Sequence, residues 1–155
     1  MKQFFKFLSL MFLTILMSGC ENNELQVTKC TSINNNLSAK YSLKSEYIIY
    51  TKKDIVSKVE VKETVISDSS VILDYFETYF TNLYKTSNES YGGYTNKIAK
   101  ENDELTSTTT INYEIVDIEK YGKDNATIKN YLNDKNEFTL EGIKTLYTTL
   151  GATCE

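Results

Sequence analysis

Three thiols are the most reactive groups in this 155-residue chain: Cys20, Cys30 and Cys154. No histidine accompanies them, which removes the commonest general base and the commonest transition-metal ligand. A zinc tetrahedron built on Cys30 and Cys154 alone would stand half empty. A nucleophilic Ser, Thr or Cys would need a lysine or a carboxylate as its base, and neither G-x-S-x-G nor S-x-x-K occurs beyond Cys20. Paired carboxylates could do glycosidase-type work, yet nearly every acid falls where a solvated face is expected. Asp134 and Asn136 suit the first and third positions of a calcium loop, but Phe138, Thr139 and Thr145 occupy positions that need an oxygen ligand, glycine and glutamate. Asp117, Glu119 and Asp124 read as surface charges with at most weak affinity for a hard cation. The expectation is no catalysis, no cofactor and no metal.

Cys20 sits in a different setting. Lys2 and Lys6 supply positive charge, residues 7–17 form an apolar run, and the small residues Ser18 and Gly19 precede the cysteine. That is the layout of a secretory signal. The run is shorter than the ~20 residues a membrane-spanning helix needs. The Met17-Ser18-Gly19-Cys20 ending resembles the bacterial lipoprotein signal, the lipobox, with Met17 where its ideal form has leucine. That resemblance implies cleavage before Cys20 and lipidation of its thiol, with fatty-acyl (palmitate-type) chains. An ordinary signal cut near Gly19 is the alternative. On the lipoprotein reading, residues 1–19 are a signal peptide. Residues 20–155 are then a single lipid-anchored domain on the extracytoplasmic side of the cell membrane, with 20–24 a short tether. Each buried CH₂ contributes ~0.8 kcal/mol, so two or three acyl chains would hold a small domain firmly.

Composition narrows the partners. Without Lys2 and Lys6 the formal charge moves from −4 to about −6, and the chain has no Arg, Pro or Trp. An acidic chain without guanidinium forks is poorly suited to phosphate or guanine recognition, so nucleic acid is not expected. Abundant Lys, Asn, Ile and Tyr beside missing Arg and Pro is the bias of an AT-rich bacterial genome. With Cys20 assigned to lipid, Cys30 and Cys154 remain as an even pair in a secreted chain, which argues for a disulfide over two free thiols.

These groups must be positioned by elements that the hydropathy pattern delimits. Residues 25–32 read as a first strand ahead of an Asn34-Asn35-Asn36 turn. Residues 39–50 alternate, with Tyr41, Leu43, Ser45, Tyr47 and Ile49 opposite Lys40, Ser42, Lys44 and Glu46. After a polar turn at 51–54, residues 55–67 set Ile55, Val59, Val61 and Val65 against Lys58, Glu60 and Lys62. The two runs predict an antiparallel hairpin with one wet face. Asp68-Ser69-Ser70 is a cluster of helix-capping residues. Behind it Ile72, Tyr75, Phe76, Tyr79, Phe80 and Leu83 form the core stripe of an amphipathic helix reaching about Lys85. Tyr91-Gly92-Gly93-Tyr94 ends that helix. Residues 94–100 and 104–116 form a second hairpin, with Leu105, Ile111, Tyr113 and Ile115 on one face. Residues 117–133 read as one or two short helices. Thr139 caps a last helix reaching Leu150, with Leu140, Ile143, Leu146, Tyr147 and Leu150 buried and Gly151 as its stop. The predicted class is α+β: an antiparallel β-sheet of at least four strands in two hairpins, with the N-terminal strand as a fifth. A central amphipathic helix and a C-terminal helix cover one face.

Several stretches together look like the YehR-like lipoproteins, small bacterial lipoproteins built around a domain of unknown function. They are the lipobox with Cys30 soon after it, YTKKDIVSKVEVKETV at 50–65, YGGYTNKI at 91–98 and TTTINYEIVDIEKY at 108–121. The ending adds FTLEG at 138–142 and GATC at 151–154. The resemblance implies an envelope location and an α+β fold, and brings no enzymatic role.

The expected function is that of a membrane-anchored module that binds an envelope protein, a peptide or a glycan. A structural or assembly lipoprotein acting through an envelope partner is the alternative, and a carboxylate-based hydrolase comes third. Tyr91 and Tyr94, flanking Gly92-Gly93, are the candidate binding surface because the turn could present two amphipathic rings; a turn with one ring packed beneath it is the other reading.

Overall fold

The computed structural model describes residues 24–155, so Cys20, the signal segment and most of the tether lie outside the described residues. Among the described residues, no helix is long and apolar enough to cross a membrane. Strands β1 (Gln26–Asn36), β2 (Tyr41–Lys52) and β3 (Ile55–Ile66) are followed by helix α1 (Ser70–Tyr91) and strands β4 (Tyr94–Glu101) and β5 (Glu104–Asn112). Helix α2 (Ile118–Asp124), a 3₁₀ turn (Ala126–Tyr131), helix α3 (Leu140–Thr149) and the two-residue β6 (Thr153–Cys154) complete the order. All six strands join one antiparallel sheet, β4-β5-β3-β2-β1-β6. The α+β class and the helix-covered sheet are as the pattern predicts.

Direct register stacks side chains in rows across the covered face. Ile49, Val59, Ile111 and Tyr94 form one row; Cys30, Tyr47, Val61, Thr109 and Asn96 form the next. The third is Ser32, Ser45, Glu63, Ser107 and Ile98. Phe80 of α1 lies over them at 1% exposure, a burial worth roughly 2–3 kcal/mol. The opposite face carries Lys29–Glu46 and Lys58–Glu60 pairs at 2.8 and 2.7 Å, each contributing only ~0–1 kcal/mol in solvent.

Four boundaries differ from the pattern, each for a local reason. Asn34, Asn35 and Asn36 pair with β2, and the turn falls at 37–40. There Asn36 Oδ1 accepts from Ala39 N at 2.9 Å and Lys40 takes a positive φ. In β3 the register shifts opposite Tyr50 and Thr51. This bulge makes Val56, not Ile55, the buried residue before Val59, because one extra residue inverts the alternation. Strand β5 ends at Asn112, whose Oδ1 accepts from Glu114 N at 3.0 Å. The turn leaves Ile115 exposed and buries Val116. Helix α3 stops before Leu150, which is exposed at the C-cap; Thr139 does cap its start, accepting from Gly142 N at 3.0 Å.

The central helix is rotated from its expected setting and is longer, ending where Gly92 adopts φ 70°. Its buried line is Leu73, Phe76, Phe80 and Tyr84, whereas Tyr75, Tyr79 and Leu83 are exposed. Three polar contacts fit this setting. Lys100 of β4 reaches Asp74 and Glu77, both at 2.6 Å, and Tyr84 donates to Glu63 of β3 at 2.8 Å. All three lie on the side of the helix that faces the sheet.

The first and last strands are clasped by a Cys30–Cys154 disulfide directly across β1 and β6, spanning 124 residues. Reduction is expected to lower the melting temperature, through a loss of at most ~4–5 kcal/mol of loop-closure entropy. A scan with and without reductant that shows no change would refute the clasp. Gly142 supplies a second test: a Cβ there would run into the Tyr131 carbonyl oxygen. The ~1 kcal/mol helix gain of alanine is then outweighed by ~1–3 kcal/mol of overpacking. Gly142→Ala should therefore unfold at lower denaturant, while Gly122→Ala, whose Cβ meets nothing nearer than 3.6 Å, should not.

Candidate functional site

The Tyr91-Gly92-Gly93-Tyr94 turn joins α1 to β4 with positive φ at both glycines. Gly93 is obligatory, since a Cβ would meet Val116 Cγ2 at 2.5 Å and Asn112 O at 2.7 Å. The turn sends the two rings to different places. Tyr94 is 8% exposed in the core, and burial raises its phenol well above the usual range. Tyr91 is half-buried against Tyr121 of α2, with ring centroids 4.9 Å apart. Asn125 Nδ2 donates to the Tyr91 hydroxyl at 3.3 Å and to the Tyr121 carbonyl at 3.1 Å, which locks this corner. The structure thus packs one ring under the turn and leaves Tyr91 in a groove of about 550 Å³ between α1 and α2.

The exposed line on α1 leads into that groove. Four residues along a 3.6-residue helix advance by about 40° of rotation, so the line drifts toward the sheet side as it proceeds. Exposure falls accordingly from Val71 at 74% through Tyr75 at 63% and Tyr79 at 47% to Leu83 at 39%. Tyr79 and Leu83 then line the groove with Tyr91.

Beneath α1 lies a polar cluster that the alternation places on the inward face but whose burial depends on the helix. Glu63 accepts from Tyr84, and Asn96 Nδ2 donates to Ser107 Oγ at 2.9 Å and Thr109 Oγ1 at 2.8 Å. Ser107 and Thr109 are fully buried. Desolvation pushes the Glu63 carboxyl up to about 7, with Tyr84 and Ser107 opposing as hydrogen-bond partners. Tyr84 is pushed up in turn, first by burial and then by the Glu63 charge. Such a carboxyl can hold or release a proton near neutrality. Its signal was present in the i, i+2 spacing from Val61 and Val65, which gives Glu63 the core side of β3.

The acids at the second cleft and on α2 each have a partner of their own. A cleft of about 340 Å³ beside the β2–β3 turn includes Glu114 and Glu137. Glu114 pairs with Lys52 at 3.1 Å, and Glu137 accepts from Asn133 Nδ2 at 3.1 Å. Asp117 caps α2 by accepting from Lys120 N at 2.9 Å, Glu119 pairs with Lys123, and Asp124 pairs with Lys120. Among the described residues, no three His, Cys, Asp or Glu converge as a metal site.

The chain is similar in fold to the Escherichia coli YehR protein, solved by NMR, at TM-score 0.55 and 15% identity over 86% of this chain and 92% of that one. It is also similar to a protein from Streptococcus pneumoniae TIGR4, solved by NMR, at TM-score 0.50 and 14% identity over 90% of each. No protein-family model matches the chain, and no curated protein sequence does. The fold is therefore YehR-like, and identity at this level extends no further than fold.

The raised Glu63 carboxyl makes stability depend on pH. An unfolded Glu63 loses its proton near the ordinary 4.5, while the folded one keeps it to about 7. Between these values the unfolded chain binds fewer protons, so stability falls as pH rises, by at most ~3 kcal/mol, and is level above the window. Glu63→Gln keeps an acceptor for Tyr84 without the charge. Its melting temperature is expected to exceed the parent's at pH 8 and to match it at pH 4.5; equal pH slopes in the two proteins would refute this assignment.

Proposed function

We propose that this protein is an extracytoplasmic lipoprotein, held to the cell membrane by lipid on Cys20, that binds a partner at the envelope and catalyses no reaction. The observation that carries the reading is the division of the three cysteines. Cys30 and Cys154 are joined to each other, so Cys20 is the remaining thiol of the chain, at the end of a segment with the layout of a secretory signal. A disulfide between the ends of a small domain is characteristic of oxidising compartments, which supports export. Strand β1 begins at Gln26, so the tether from Cys20 spans at most ~20 Å and would keep the sheet close to the bilayer.

Binding is favoured over catalysis by what the concave surfaces offer. The α1–α2 groove presents rings, amides and hydroxyls, which orient a ligand but are not a nucleophile beside its base. The buried Glu63 carboxyl is coupled to a tyrosine that remains protonated, an arrangement that serves the α1–sheet junction.

Cys20→Ser should move the protein from the membrane fraction to the soluble fraction, read by immunoblot after cell fractionation. Continued membrane retention would overturn the anchor. Capture of one stoichiometric envelope protein by the detergent-solubilised parent would favour the assembly role over ligand binding.

A further inference from the structure

The groove between α1 and α2 differs from the rest of the surface in its charge. Charged residues make up 25% of the chain, yet none of the nine residues lining this groove is Asp, Glu, Lys or Arg. The charges that reach it, Lys120 over the Tyr91 ring and Asp124 beside the Tyr91 hydroxyl, are paired with each other at 2.6 Å. An ionic ligand entering here would lose hydration without gaining a counter-ion. A purely apolar ligand would bury the Asn82 amide and the Ser87 and Ser90 hydroxyls without partners, at ~1–3 kcal/mol each. The lining suits a ligand that is uncharged, rich in hydroxyls and flat on one side.

We propose that this groove binds a neutral saccharide. A pyranose ring has an apolar C–H face that stacks on an aromatic ring and an equatorial rim of hydroxyls that exchange hydrogen bonds with amides and alcohols. Tyr79 supplies the aromatic face, and Tyr91, whose ring is engaged by Tyr121 and Lys120, closes the end of the groove; Asn82, Ser87 and Ser90 supply the polar rim. The volume of about 550 Å³ lies within the ~300–1,000 Å³ typical of small-ligand sites. Tyr75 continues the platform along α1, its ring within 13° of parallel to Tyr79 and 6.2 Å away, so a second sugar unit has a surface to follow. Rigidity favours the site as well: Tyr91 is held by Asn125 and by Lys120 Nζ, 4.9 Å from its ring centroid. Little ordering is then needed on binding.

This inference rests on the binding role proposed above and names the ligand class; its test does not depend on the anchor. The full chain, purified in detergent, is titrated with the neutral trisaccharides chitotriose, cellotriose and maltotriose, and the side-chain amide signals of Asn82 and Asn125 are followed by NMR. At least one sugar should give saturable shifts at about millimolar Kd. Tyr79→Ala and Asn82→Ala, both at exposed positions, should each weaken binding about tenfold with unchanged melting temperature, while the remote Val71→Ala leaves it unaltered. Absence of saturable shifts with all three sugars would overturn the proposal. So would binding indifferent to both substitutions, tighter binding of an anionic trisaccharide, or occupancy by an uncharged tyrosine-containing peptide but no sugar. Failure here, with Cys20→Ser still released from membranes, would reject the ligand class and leave the anchored module standing.

Discussion

The seating of α1 on the sheet is the constraint on which the rest of this structure depends. The helix carries aromatic and aliphatic residues around more than half of its circumference, so hydrophobicity alone permits several rotations. Packing against the sheet together with polar contacts selects one. Lys100 holds Asp74 and Glu77 near the N-terminal end, and Tyr84 reaches down to Glu63 farther along. Each contact is modest, since a net hydrogen bond contributes about 1 kcal/mol. Their effect is positional: together they commit Leu73, Phe76, Phe80 and Tyr84 to the core. Tyr75 and Tyr79 consequently face solvent.

That choice also creates the surface of interest. Because the outward line drifts by about 40° every four residues, it begins exposed at Val71 and ends half-buried at Tyr91. The Gly92-Gly93 turn and α2 close the far end, with Asn125 tying Tyr91 to Tyr121. The groove thus forms where the outward line of a long, broadly apolar helix meets α2. Its neutrality contrasts with the opposite face of the sheet, where lysines and glutamates form pairs such as Lys29–Glu46 and Lys58–Glu60. The two faces are suited to different tasks, one to solvation and one to contact.

At the other side of the sheet the chain ends are brought together by pairing as well as by sulfur. Lys29 and Glu155 exchange backbone hydrogen bonds at 3.3 and 2.8 Å beside the Cys30–Cys154 disulfide. A strand of two residues would fray without a covalent tie, and the tie needs Cys30 inward on β1 and Cys154 directly opposite. The alternation of β1 and the stop at Gly151 meet that requirement.

Much of this was legible in the residues themselves. Period-two alternation in β2 and β3, the β-branched run of β5, the Thr139 cap and the Gly92 and Gly151 stops are local effects, decided by backbone sterics and neighbouring side chains. So the elements, the α+β class and the pairing of Cys30 with Cys154 could be anticipated. The β3 bulge opposite Tyr50 and Thr51, the rotation of α1 and the burial of Glu63 could not be read in the same way, while the Tyr91-Gly92-Gly93-Tyr94 turn admitted two readings between which only the packing chose. Each depends on which surface a distant element presents, and a helix with apolar residues around more than half of its circumference admits several rotations until it meets the sheet. Local periodicity determined what this chain would build; long-range contact decided which of its side chains would be left facing water.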